Sequence, residues 1–348
     1  MSDELITLRG TFTDIANAIR ARYVKGQMKP IEMPAKIAKA GYKLGVDIGL
    51  VIGDIDENGV LQLPSAENIE IYSNEALDIA ENALMNKFQS NTGITYVGFP
   101  LLQHVGQQGF RDTFKSCTNI TDAMFPSLER IEYNGMYGIF RDCTGLNNID
   151  FESLTSVGTY GLYLAFSKSC MLSALFPSLT TVEDSGLYNA FQNNTALQTV
   201  SFPELINIGT YSLASCFKGC TNLTSVSIPK LKQVKSQAFW QTFYGCTGLQ
   251  ELDLSSFETI EGDSAFNDFT RGCTNLTSVD MSGLTTINGG YDFQGAFYGC
   301  TALEEVDLSG LETVSGAQNF YQSFYGCTNL TDVDLSSLET VSGQNVFY

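Results

Sequence analysis

The chain has 348 residues, 43% hydrophobic and 16% charged, a balance that describes an ordered, core-forming protein and excludes a disordered one. Its formal net charge of −19 is unevenly spread: residues 1–45 hold eight Lys/Arg against four Asp/Glu, whereas from Cys246 onward fifteen acidic residues face one base, Arg271. So acidic a body repels phosphate backbones and excludes nucleic acid as its partner, and no stretch approaches the ~20 apolar residues that insert across a bilayer.

The first ten residues, MSDELITLRG, carry no secretion-signal pattern, so synthesis as a soluble cytoplasmic product is expected. In residues 11–23, Ile15, Ala18, Ile19 and Arg22 share one helical face, with Thr11 or Thr13 available as N-cap. GQMKP (26–30) interrupts that helix, and a second short one is expected over 34–40. Residues 1–45 therefore read as a small helical module, too short for a large core of its own. Residues 46–63, VDIGLVIGDIDENGVLQL, approach strand alternation about Asn58-Gly59 and read as a β-hairpin connector. Asp54, Asp56, Asn58 and Gly59 also match the first half of a calcium loop. The position that should carry a bidentate Glu is Ser65, so the hairpin is preferred.

Residues 64–348 are repetitive. Aligned on one anchor (Asn91, Cys117, Cys143, Ser169, Asn194, Cys220, Cys246, Cys273, Cys300, Cys327), the intervals are 25 to 27 residues. Leu or Ile stands three after each anchor, and Phe three before all but Cys273. A unit this small cannot bury its own apolar face, so the units must stack and share one core. The period predicts an α/β, strand-rich leucine-rich-repeat solenoid of about ten coils, each a strand, a second extended piece and a short helical turn carrying the FxxC segment. Earlier units close the strand with Phe/Ile-Pro, as at Phe202-Pro203. Later ones use Asp-Leu/Met-Ser, as at Asp253-Leu254-Ser255.

Segments such as LTSVSIP and AFYGCTAL resemble the BspA-like (Treponema type) leucine-rich repeats, over about residues 61–348. A few extra residues before the AF segment depart from that pattern and imply a longer helical turn. The resemblance implies a surface adhesin or host-interaction protein at the bacterial cell surface. The segment DIANAIRARYVKGQMKPIEMPAKIAKA is similar to a module of phage and prophage tail-fibre proteins, on Asp14 to Arg20, Lys29-Pro30 and Glu32-Met33-Pro34. That similarity implies a non-enzymatic tail-fibre-type adhesin of the virion. Residues 1–45 would join it to other virion or tail proteins, and the solenoid would bind a cell-surface glycan or protein receptor. The bacterial adhesin is the alternative, and homo-oligomers fit either.

The recurring Cys lacks any C-x-x-C pairing, and Asn or Ser replaces it at three anchors, so it reads as a small packed residue with neither a disulfide nor a zinc role. His104 is the lone histidine and has no Ser or Cys partner pattern, and the carboxylates follow the repeat, where an active site would interrupt it. No catalytic residue and no cofactor are assigned. Asp253, Asp280, Asp307 and Asp334 recur every 27 residues, either as a solvated column capping nearby backbone or as a surface for Ca2+ or a basic partner. Six and two residues before the anchors the side chains vary most. The candidates for ligand contact there are Tyr137, Tyr163, Tyr188, Trp240, Tyr244, Tyr298, Tyr321 and Tyr325, unless their rings only cover neighbouring coils.

Overall fold

The computed structural model describes residues 54–55, 61–62, 69–73 and 76–348. The helical module expected in 1–45 lies outside the described residues. Around Asn58-Gly59, Asp54–Ile55 pairs antiparallel with Leu61–Gln62, which is a hairpin's register.

From Ile69 onward each coil contributes one strand to each of two parallel ladders. The first ladder runs from Ile69–Tyr72 to Asp332–Asp334 and the second from Asp78–Ile79 to Thr340–Ser342. Strands pair in register from coil to coil, for example Val279 with Val306 in the first ladder and Ile287 with Val314 in the second. The middle residue of the short strand points inward, and Val279, Val306, Ile287 and Val314 are all buried. Alternation in a three-residue strand leaves its two flanking side chains outside.

The third side of the coil differs from expectation. The FxxC segment contains no helix; it is a run of β-turns. In residues 106–117, Gly109, Thr113 and Cys117 each donate their N–H to the carbonyl three residues back. Phe110, Asp112, Phe114 and Ser116 instead donate to carbonyls of the next coil, Gly135, Tyr137, Ile139 and Arg141. Half the amides close turns and the others stitch coils together, which satisfies the backbone without a helix. The third residue of each turn has the positive φ that a type II turn requires there: Gln108 (54°), Asp112 (48°) and Ser116 (60°). The outcome is a four-residue period of two residues in and two out. Gly109-Phe110 and Thr113-Phe114 are buried, and Arg111-Asp112 and Lys115-Ser116 lie half-buried on the outer side. A period of four lies close to the helical 3.6, which is why apolar spacing alone suggests a helix. The Gly of each FYGC segment also gains a reason: Gly245, Gly299 and Gly326 hold φ of 71°, 73° and 79° just before the anchor.

The core lies between the three sides as columns of stacked rings. Phe191, Phe217 and Phe243 follow one another at centroid separations of 5.5 and 5.7 Å, nearly parallel. The two repeat classes differ in which column supplies a further ring. In earlier coils the residue after the first strand is Phe and the one seven before the anchor is usually aliphatic, as with Phe176 and Leu187 or Phe202 and Leu213. In later coils the bulk is exchanged: Ile228 goes with Phe239, Leu254 with Phe266, and Met281 with Phe293. Each coil keeps a similar core volume, which close packing demands. Both ladders are interrupted near this exchange, between Ser225–Ser227 and Glu251–Asp253 and between Asn207–Ile208 and Gln233–Lys235, and the first is interrupted once more between Asn148–Asp150 and Ser173–Leu175.

Candidate functional site

The outward pairs of the turn ladder align from coil to coil into columns. Of the predicted aromatic residues, Tyr137, Tyr163, Tyr188 and Trp240 share one column, six before the anchor. Tyr137 and Tyr163 stack at 4.8 Å, Arg111 lies 4.9 Å over Tyr137, and Tyr188 meets Tyr163 edge-on at 5.2 Å. Ala214 is buried in the coil between Tyr188 and Trp240, and the two rings lean together to 6.3 Å. Burial, and then the neighbouring phenols, push the Tyr188 hydroxyl above its usual range, with Tyr163 the nearest contributor.

A second group, two before the anchor, alternates charge and ring. Lys218 sits 4.5 Å over Tyr244, Arg271 sits 4.1 Å over Tyr298, and Tyr298 stacks on Tyr325 at 4.8 Å. Tyr321 stands apart from both groups and stacks on Tyr348 at 5.6 Å. The rings do cover their neighbours, yet Tyr325 remains 61% exposed.

A third aromatic column escaped the sequence reading. Nine before the anchor, at the first left-handed residue of each turn ladder, stand Tyr160, Tyr211 and Tyr291 with φ of 55°, 54° and 62°. Their only signal in the sequence is that this position is outward, which is unreadable until the two-in, two-out period is known. Between this column and the Tyr188–Trp240 column runs a groove of about 410 Å³. Tyr160, Tyr188, Tyr211 and Trp240 line it together with Ser185, Gln237, Ser264 and Asn267.

The aspartate column stands in strand register, Asp253 beside Asp280, Asp280 beside Asp307 and Asp307 beside Asp334. Each Oδ1 accepts the backbone N–H two residues on, at 2.9 to 3.1 Å, from Ser255, Ser282, Ser309 and Ser336. These bonds close the turn after the strand, and the Ser336 hydroxyl, followed by the Ser336 N–H, holds the Asp334 carboxyl below its usual range. Among the described residues no three His, Cys, Asp or Glu converge as a metal site would require.

The nine cysteines are free. At the anchor each thiol donates to a main-chain carbonyl of the preceding coil, as from Cys246 to Phe217 at 3.0 Å and from Cys300 to Thr270 at 3.1 Å. Burial pushes the thiols of Cys117 and Cys300 up to about 12 and about 11, so they are protonated and poorly nucleophilic at neutral pH. At the Ser169 and Asn194 anchors the two side chains pair with each other at 3.1 Å instead. Cys246→Ser keeps a donor in place and is expected to cost about 1 kcal/mol in thermal or urea melts, without change in any binding. His104 pairs with Asp78 at 2.8 Å on the second ladder's outer surface.

One carboxylate does interrupt the repeat. Eight before the anchor, on the inward pair, the chain carries Gly109, Gly135, Gly161, Gly186, Ser212, Ala238 and Ala265, and then Asp292 and Asn319. Asp292 is fully buried; its Oδ1 accepts the Ala265 N–H at 2.9 Å and its Oδ2 has no partner. Burial, and then the nearby Asp263, raise this carboxyl to about 7 against the pull of the Ala265 N–H. With no opening to solvent, Asp292 is a core residue and not a catalytic acid.

A family model described as BspA type leucine rich repeat region matches residues 63–211, 110–242, 187–308 and 214–348. Among solved structures the chain is similar to a leucine-rich repeat protein from Bacteroides ovatus (17% identity, 86% of this chain and 90% of that one, TM-score 0.39). It is also similar to a leucine rich repeat protein of T. pallidum (24% identity, 53% and 77%, TM-score 0.36). A third is a leucine rich cell surface protein from Faecalibacterium prausnitzii (17% identity, 79% and 86%, TM-score 0.29). No curated protein matches at a significant level.

Proposed function

Because the chain belongs to the BspA type leucine rich repeat family, we propose that it is a non-enzymatic recognition protein of the bacterial adhesin or host-interaction kind, meeting its partner with the turn-ladder face. The observation that supports this most is the division of labour in each turn ladder. The inward pair is restricted by the core to a small residue followed by a large apolar one in most coils, whereas the outward pair varies more widely and gathers Tyr, Trp, Arg and amides. Tyr, Trp and Arg are the residues that contribute most at recognition surfaces. The strand face is chemically different: the first ladder's outer surface carries Asp122 and Asp150 beside Tyr96 in its earlier coils, and from Glu251 onward it is dominated by carboxylates such as Glu305 and Asp332.

A tail-fibre role would rest on residues 1–45, which lie outside the described residues, and nothing in the solenoid favours it over the cell-surface reading. The purified chain should bind intact cells saturably. Tyr163→Ser combined with Tyr298→Ser should weaken that binding about tenfold or more with an unchanged melting temperature. Glu251→Gln with Glu305→Gln should leave it intact. The reverse pattern would move recognition to the strand face, and turnover of a bound glycan would overturn the binding-only reading.

A further inference from the structure

The groove between the two outward aromatic columns is built unlike the rest of the surface, and we infer that it binds a neutral oligosaccharide. The inference rests on the recognition reading above and names the class of its ligand.

Four observations carry it. First, the groove crosses the coils from Tyr160 to Asn267; at the ~4.8 Å spacing of paired strands its four steps make a trough of ~19 Å, long enough for an extended chain of several sugar rings. Second, its aromatic faces are set at different tilts: Tyr188 and Tyr211 lie 6.1 Å apart at 34°, and Tyr211 and Trp240 lie 6.5 Å apart at 88°. A row of parallel rings would fill itself by stacking, whereas tilted rings leave π-faces open to the polarised C–H groups of a pyranose. Third, the Tyr188 and Tyr211 hydroxyls, the Trp240 indole N–H and the Gln237 side-chain amide make no hydrogen bond among the described residues, while the Asn267 side chain donates to Gln294 at 2.9 Å. Donors and acceptors beside apolar faces are what a sugar, with hydroxyls around an apolar ring, would engage. Fourth, no charged side chain lines the groove, and the chain as a whole is at −19, which disfavours uronic or sialic acids.

Small residues make the site possible. Ser185 and Ser264 flank Tyr211 and Gln237 along one wall, and Ala214 occupies the coil between Tyr188 and Trp240. Rings therefore alternate between the two columns on successive coils, Tyr188, then Tyr211, then Trp240, which leaves a trough between them.

Trp240 is the single tryptophan of the chain, so its emission reports on the groove alone. Maltotetraose, cellotetraose, chitotetraose and a mannotetraose would be titrated to millimolar concentration against the full chain. At least one should shift the emission saturably, and a tetragalacturonate should bind about tenfold more weakly than that sugar. Tyr160→Asn with Tyr211→Asn, a change suited to the left-handed backbone at both positions, should reduce the affinity at least tenfold while the melting temperature stays put. A saturable shift that survives in this variant, or none with any of the four neutral sugars, overturns the inference. Cell binding measured in parallel separates the two claims. Wild-type chain that binds cells but no neutral sugar leaves the recognition role standing and removes the groove assignment. Wild-type chain that binds neither removes both.

Discussion

An Asp292→Asn variant should be more stable than the parent chain at pH 8 and no different below pH 4. The reason is the position of Asp292 on the inward side of the turn ladder, where other coils have Gly, Ala or Ser. A carboxyl buried there is held up to about 7 by desolvation, whereas in the unfolded chain it titrates near ~3.9. Below both values the group is protonated in both states and contributes nothing. Between them the folded protein binds a proton that the unfolded chain does not, so stability falls as pH rises from ~4 towards ~7 and is level beyond. With about three units at ~1.4 kcal/mol each, the cost has a ceiling on the order of 4 kcal/mol. Asn319 shows that the amide fits: its Oδ1 accepts the Asp292 N–H at 3.1 Å, as Asp292 accepts that of Ala265, and its Nδ2 donates to the Ser315 carbonyl at 2.7 Å. The unpartnered Oδ2 of Asp292 lies beside Gly289, in the equivalent direction. Urea melts of both chains from pH 4 to pH 8 should therefore diverge with pH; parallel curves would mean that Asp292 is solvated or paired.

Phe217→Ala is expected to destabilise the chain by about 3–5 kcal/mol, the usual cost of emptying a buried ring site. Phe217 is fully buried and lies between Phe191 and Phe243 in the ring column, with Phe202 at 6.4 Å. Its carbonyl also accepts the Cys246 thiol and the Cys220 N–H, both at 3.0 Å, so any collapse around the cavity strains the next coil. In a stacked array each coil is held only by its neighbours, and a weak joint near the middle should divide the unfolding transition in two. Phe217→Leu, which keeps most of the volume, should cost about 1.5 kcal/mol or less and leave a single transition. Denaturant titration followed by far-ultraviolet dichroism reads both midpoint and shape. A loss under about 1 kcal/mol for the Ala variant would mean the column is not the core.

Much of this architecture was legible in the sequence, because a solenoid repeats its core contacts at a fixed interval. The Phe three before the anchor and the Leu three after it are buried wherever the columns run continuously, as Phe243 and Leu249 are. The backbone between them was not legible, for two physical reasons. A four-residue period differs too little from 3.6 to exclude a helix. The left-handed positions are also occupied by residues that do not announce them, such as Tyr160, Leu164 and Lys168, with φ of 55°, 54° and 60°. The same gap hid the column of Tyr160 and Tyr211 and so the groove. Asp292 was overlooked for a related reason: until inward and outward positions can be told apart, a buried carboxylate looks like the solvated ones that recur around it.

The two-in, two-out turn ladder separates two kinds of information along one stretch of chain. Replacing the first member of an outward pair, such as Gln107, Arg111 or Lys115, leaves the ring columns in place and spares the left-handed second member, whose N–H joins the coils. A lineage can thus rewrite the surface coil by coil, by point mutation or by duplicating a whole unit, while the inward code stays fixed. Diversification for a new partner would then proceed at almost constant stability, and a combinatorial library confined to those first positions would sample ligands without sampling misfolding.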